Sequence, residues 1–91
     1  MSTFNLYIGA DNATGEINLD LVASIVAENH QAFTLVSARG YWQGKPEPSA
    51  IVTIEDDSSV IRATAELLCY RLRQDAVGIQ EVSPIQFVAP R

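Results

Sequence analysis

The chain has 91 residues, the length of a single domain and too short for two independent cores. Hydrophobic residues make up 47% and charged residues only 19%, which argues against disorder and leaves apolar surface to spare for self-association. Six basic residues stand against eleven acidic ones, a formal net charge of −5 that disfavours nucleic-acid backbones and anionic lipid surfaces as partners.

Phe4, Leu6 and Ile8 alternate with Asn5 and Tyr7, the period of a half-buried strand that ends at Gly9. Asp11 to Gly15 is a cluster of loop formers, and Asn18 is placed to cap a helix whose first turn carries Asp20. Leu21, Val22, Ile25 and Val26 then recur at helical spacing, which predicts an amphipathic helix from about Leu19 to His30. His30, the only histidine, is expected to meet the helix C-terminus.

Phe33 to Arg39 returns to β-prone residues and fits a second strand. Gly40 to Ser49 holds two glycines and two prolines, so the expectation is a long irregular tip, with β character resuming from Ala50 to Glu55. Asp56 to Ser59 offers capping side chains ahead of Ile61, Ala65, Leu68 and Leu72, and a second helix is predicted to run to about Gln74. Glu55, Asp56 and Asp57 read as a solvated cap rather than a metal site, and Arg62, Arg71 and Arg73 as surface cations held in ion pairs. Cys69, beside Leu67 and Leu68, reads as a buried and inert thiol, and a single cysteine allows no disulfide within the chain. Val77 to Gln80 makes a last strand, after which Ser83-Pro84 breaks the pattern and Ile85 to Val88 leaves room for an edge strand.

The resulting order is that of an α+β, ferredoxin-like βαββαβ domain spanning 1–91, with two helices on one face of an antiparallel sheet. The opposite face has nothing in the chain to cover it, so a homo-oligomer, a trimer first, is expected. The start of the chain lacks the basic residues of a signal peptide, and no apolar run nears the ~20 residues of a membrane span. A cytoplasmic protein is the expectation.

The segment from Gly40 to Ser49 holds most of the candidate chemistry. It contains the only Trp, a Tyr and a Glu, a combination that can clamp a cationic or flat ligand by stacking and cation–π attraction. The plainer alternative is that Tyr41 and Trp42 anchor the hairpin to a neighbouring subunit. Gly40-Tyr41-Trp42-x-Gly44, then Glu47-x-Ser49, and later Gln74-Asp75-Ala76-Val77, resembles small ferredoxin-like phage proteins, and in particular the phage-encoded S-adenosylmethionine lyases, which form PII-like trimers. That resemblance spans about 33–82. It implies a site between subunits with Tyr41 and Glu47 as catalytic residues and Trp42, Gln74 and Ser49 as ligand contacts, without metal or cofactor. It also implies a counter-defence role in phage infection. Two other functions stay open on the residues alone: a sponge for a signalling nucleotide, which needs arginines in the cleft, and an acidic inhibitor that binds a protein.

Overall fold

A computed structural model describes residues 1–90, in which β1 (Ser2–Ile8), α1 (Leu19–Ala27), β2 (Thr34–Trp42), β3 (Lys45–Asp56), α2 (Ser58–Leu72) and β4 (Gly78–Val82) follow in order. The strands form one antiparallel sheet of order β2-β3-β1-β4. This is the ferredoxin-like architecture that the sequence pattern predicts.

Period-two alternation sorts the sheet residues onto two faces. Phe4, Leu6 and Ile8 of β1 and Ala50, Val52 and Ile54 of β3 are buried on one face, against Val22, Ile25 and Val26 of α1 and Ile61, Ala65, Leu68 and Leu72 of α2. Asn18 caps α1 as its sequence position predicts, its Oδ1 accepting from the Leu21 N–H at 3.0 Å. At its Thr3 end the other face meets the C-terminal segment, the Ile85 N–H donating to Thr3 Oγ1 at 3.3 Å, but among the described residues no helix or strand covers the rest. There Tyr7 is 41% exposed and Val36 47% exposed. A polar chain crosses this face: Thr53 donates to Asn5 Oδ1 at 2.7 Å, and the Tyr7 hydroxyl donates to Gln80 Oε1 at 2.6 Å.

Several features of the structure differ from the sequence expectation. The long tip is absent, because β2 and β3 pair continuously from Thr34↔Thr53 out to Trp42↔Lys45 and turn on two residues, Gln43 and Gly44, both with positive φ. That is the geometry of a two-residue primed hairpin turn, which matches the twist of the strands. Pro46 and Pro48 fit inside β3 because they are two residues apart, so both missing N–H groups lie on the same edge. β1 pairs with β3 only from Ala50 onward, and that edge is therefore unpaired beside the prolines. The outer part of the hairpin, from Tyr41 to Pro46, is exposed throughout, in a molecule 48 Å long and 24 Å wide.

Both helices also stop sooner than predicted, and His30 lies outside α1. The Glu28 and Asn29 N–H groups bond back three residues, to Ile25 and Val26, which tightens the last turn and ends the helix. His30 then turns inward, with Nδ1 3.0 Å from Asp56 Oδ2 and Nε2 2.7 Å from Thr64 Oγ1. It is a buried bridge between the α1 exit, the end of β3 and α2, not a cap. Asp56 is accordingly no free solvated acid, and its other oxygen accepts from the Asp57 N–H. Cys69 is half-buried rather than fully enclosed, and Ile85 to Val88 forms no strand.

Candidate functional site

The chain leaves β1 at Gly9, beside the start of the β3 segment that outruns β1. Glu47 sits on that segment, on the uncovered face, with Gly40 as its cross-strand partner. Two glycines thus flank one carboxylate. A Cβ at Gly9 would lie 3.2 Å from Glu47 Oε1 and 3.4 Å from Gln74 Oε1, and one at Gly40 would lie 3.4 Å from Ser49 Oγ and 3.9 Å from Glu47 Cγ. Absence of both side chains opens a cleft of about 290 Å³ lined by Tyr7, Gly9, Arg39, Gly40, Glu47 and Ser49, among others.

Glu47 is half-buried and enters none of the ion pairs among the described residues, which join His30 to Asp56, Arg71 to Glu28 and Arg73 to Asp11. Gln74, beyond the end of α2, lines the neighbouring cleft on the other side of Gly9 and approaches Glu47 only across that glycine. Its Nε2 donates to the Ala10 carbonyl at 2.7 Å, and this bond fixes which way the amide points. The oxygen Oε1 is left toward the space above Gly9. Two acceptors, one of them a carboxylate, therefore converge on one spot, and no donor of the described residues bonds to either. A ligand group rich in N–H, and best a cationic one, complements that arrangement.

Of the five residues that the sequence singles out, Glu47 and Ser49 line this cleft, and Gln74 meets Glu47 across Gly9 from the neighbouring one. Tyr41 and Trp42 lie farther along the hairpin and are 66% and 70% exposed. Tyr41 pairs with Pro46, so period two puts it on the sheet face opposite to Glu47, whereas Trp42 shares the face of Glu47 nearer the turn. Neither completes the cleft within one chain. Sequence reasoning missed Gly9 and Gly40 as its walls. The available signal was that each glycine ends or interrupts a strand pattern, a mark of close approach by another group.

On the other side of Gly9 a second cleft, of about 250 Å³, runs between the β1–α1 loop and the end of α2. Two arginines line it, but each is held by an acid: Arg71 by Glu28, and Arg73 by Asp11 through two bonds of 3.1 and 2.9 Å to one oxygen. The Arg73 guanidinium, and the Ala13 N–H that bonds the same carboxylate, hold Asp11 below the ordinary carboxylate pKa. His30, Asp56 and Thr64 have the order of an acid–imidazole–hydroxyl relay, yet His30 and Thr64 are 5% and 0% exposed, so no substrate reaches the hydroxyl. Their role is structural.

Among solved structures the chain is similar to a DUF3240 family protein from Shewanella baltica OS155, with a TM-score of 0.64 and 11% identity over 99% of this chain and 97% of that one. CutA1 from Oryza sativa superposes with a TM-score of 0.53 and 17% identity over 98% of this chain and 84% of its own. The periplasmic divalent cation tolerance protein CutA from Archaeoglobus fulgidus gives 0.52 and 14% identity over 96% and 87%. The chain shares their PII-like, ferredoxin-like fold. At these identities the likeness extends to the fold alone. No protein-family model and no curated protein sequence matches the chain. Among the described residues no three His, Cys, Asp or Glu side chains gather as a metal ion needs. No helix among the described residues is long and apolar enough to cross a membrane.

Proposed function

We propose that this chain forms a homotrimer that binds a small, positively charged nucleoside-type metabolite, of which S-adenosylmethionine is the type, in the cleft beside Gly9. The observation that carries this reading is the convergence of Glu47 Oε1 and Gln74 Oε1 on the space left by Gly9. A half-buried carboxylate without a partner attracts a cation more strongly than an exposed one, because fewer waters screen it. The net charge of −5 adds to the attraction.

Trimer formation supplies what one chain lacks. Tyr7, Val36 and Ile51 on the uncovered face gain a partner, and the exposed end of the hairpin carries Tyr41 and Trp42 to a neighbour. Their aromatic rings then flank a sulfonium or a nucleobase, the contacts that resemblance to the phage lyases assigns to them. In the lyase form of this reading the substrate's own carboxylate attacks the carbon that bears the sulfonium. A C–O bond forms, the C–S bond breaks, and a lactone and a neutral thioether result. No proton moves, so the protein supplies orientation only. Glu47 and Gln74 hold the ammonium group and Ser49 a hydroxyl of the sugar. Removal of that metabolite would be a counter-defence activity in an infected cell.

A signalling-nucleotide sponge is less well served, since Arg71 and Arg73 are engaged by Glu28 and Asp11 and, among the described arginines, only Arg39 lines the cleft. Native mass spectrometry and calorimetry with S-adenosylmethionine test the proposal. The expected result is a trimer that binds the compound, with Glu47→Gln weakening it by about 1.5–3 kcal/mol, the range of a charge-assisted hydrogen bond. A monomer without bound ligand refutes the reading and favours a protein partner.

A further inference from the structure

Arg73 follows the last residue of α2 and adopts the left-handed conformation, φ 53° and ψ 47°, that helices usually assign to glycine. A side chain with a Cβ is disfavoured there unless its surroundings hold it. They do. Asp11 accepts from Nε and Nη2 of Arg73 at 3.1 and 2.9 Å, and Asn12 Nδ2 donates to the Arg73 carbonyl at 3.0 Å. The other Asp11 oxygen accepts from the N–H groups of Ala13 and Thr14, at 2.7 and 3.2 Å, so the same carboxylate organises its own loop. The next residue, Gln74, bonds the Ala10 carbonyl. Residues 10, 11 and 12 are thus zipped to residues 73 and 74 by consecutive bonds, and Gln74 Oε1 is left toward Gly9.

We propose that Arg73 is a positioning residue: its clamp on Asp11 and Asn12 sets the chain reversal that spends Gln74 Nε2 on Ala10 and turns Oε1 toward the gap above Gly9. The acceptor geometry of the cleft is then governed from the β1–α1 loop, outside the cleft itself. Glycine in place of Arg73 keeps the backbone conformation, and with it the carbonyl that Asn12 bonds, and removes only the Asp11 half of the clamp, so fold and positioning respond in opposite senses. The effect on a ligand rests on the function proposed above, whereas the placement of Gln74 does not.

The experiment reads both. In ¹H–¹⁵N spectra of the ligand-free protein, the Gln74 side-chain amide is identified by its loss in Gln74→Ala. Arg73→Gly is expected to keep or raise the melting temperature while moving that amide pair to the shift and solvent-exchange rate of an exposed glutamine. Asp11→Asn should move it in the same direction. Calorimetry with S-adenosylmethionine should then show Arg73→Gly binding about 3- to 10-fold more weakly, the loss of one neutral hydrogen bond. An amide pair that stays in place in both variants overturns the positioning role. Displacement of Gln74 with unchanged affinity overturns its link to the ligand. If the parent protein fails to bind the compound, the proposed function falls and the Gln74 resonances still decide the role of Arg73.

Discussion

Replacing Gly9 by alanine puts the central geometric argument to a direct test. Gly9 has no positive φ, so the backbone accepts an alanine there. Loss of glycine's freedom in the unfolded chain stabilises by about 0.4–1 kcal/mol. Against this, the new methyl carbon lies 3.2 Å from Glu47 Oε1 and 3.4 Å from Gln74 Oε1, which requires a shift of a few tenths of an ångström. Glu47 is the end of a flexible side chain with no partner to lose, so the net change in stability should stay within about 1 kcal/mol, or roughly 4–8 °C in a domain of this size. Binding responds differently. The methyl fills the spot on which the two acceptors converge, and a displaced charge-assisted hydrogen bond is worth about 1.5–3 kcal/mol, hence roughly 10- to 150-fold in Kd. Thermal melts by circular dichroism and titration calorimetry with S-adenosylmethionine give the two numbers. An affinity equal to that of the parent, in a variant that melts within that window, would refute the idea that a ligand occupies the space above Gly9.

The unpaired β3 edge beside Pro46 and Pro48 predicts that Pro48→Thr, which restores an N–H on that edge, increases self-association beyond the native oligomer; light scattering over a concentration series measures it. Thr64→Val removes the hydroxyl from His30 Nε2 inside the core and should lower stability in urea by about 1–3 kcal/mol. Asp11 has a folded pKa held below its unfolded value of 3.8, chiefly by Arg73. Its contribution is therefore present above that pH and is lost as the pH falls through the folded value. Asp11→Asn should flatten the acid limb of the stability curve below about pH 4 and leave the region above pH 6 parallel to the parent, as acid titration followed by circular dichroism will report.

The order of elements and the core were legible in the sequence because both depend on local periodicity. Phe4, Leu6 and Ile8 alternate whatever they pack against, Asn18 can cap only the turn that follows it, and Ile61, Ala65, Leu68 and Leu72 share a face on any α-helix. Glu47, Ser49 and Gln74 were also picked out, by residue type and by resemblance. What the linear pattern does not carry is the consequence of register. Pro46 and Pro48 look like breakers until β1 stops pairing at Ala50 and leaves their edge free. Tyr41 looks like a companion of Glu47 until two-residue turn geometry puts it on the opposite face. Most of all, His30 meets Asp56 and Thr64, Gln74 meets Ala10, and Gly9 admits Glu47 across 26 to 64 residues of chain. Those contacts exist only once the sheet order brings β1 between β3 and β4, because hydrogen bonds and close approach act over a few ångströms and sequence separation does not report such distances.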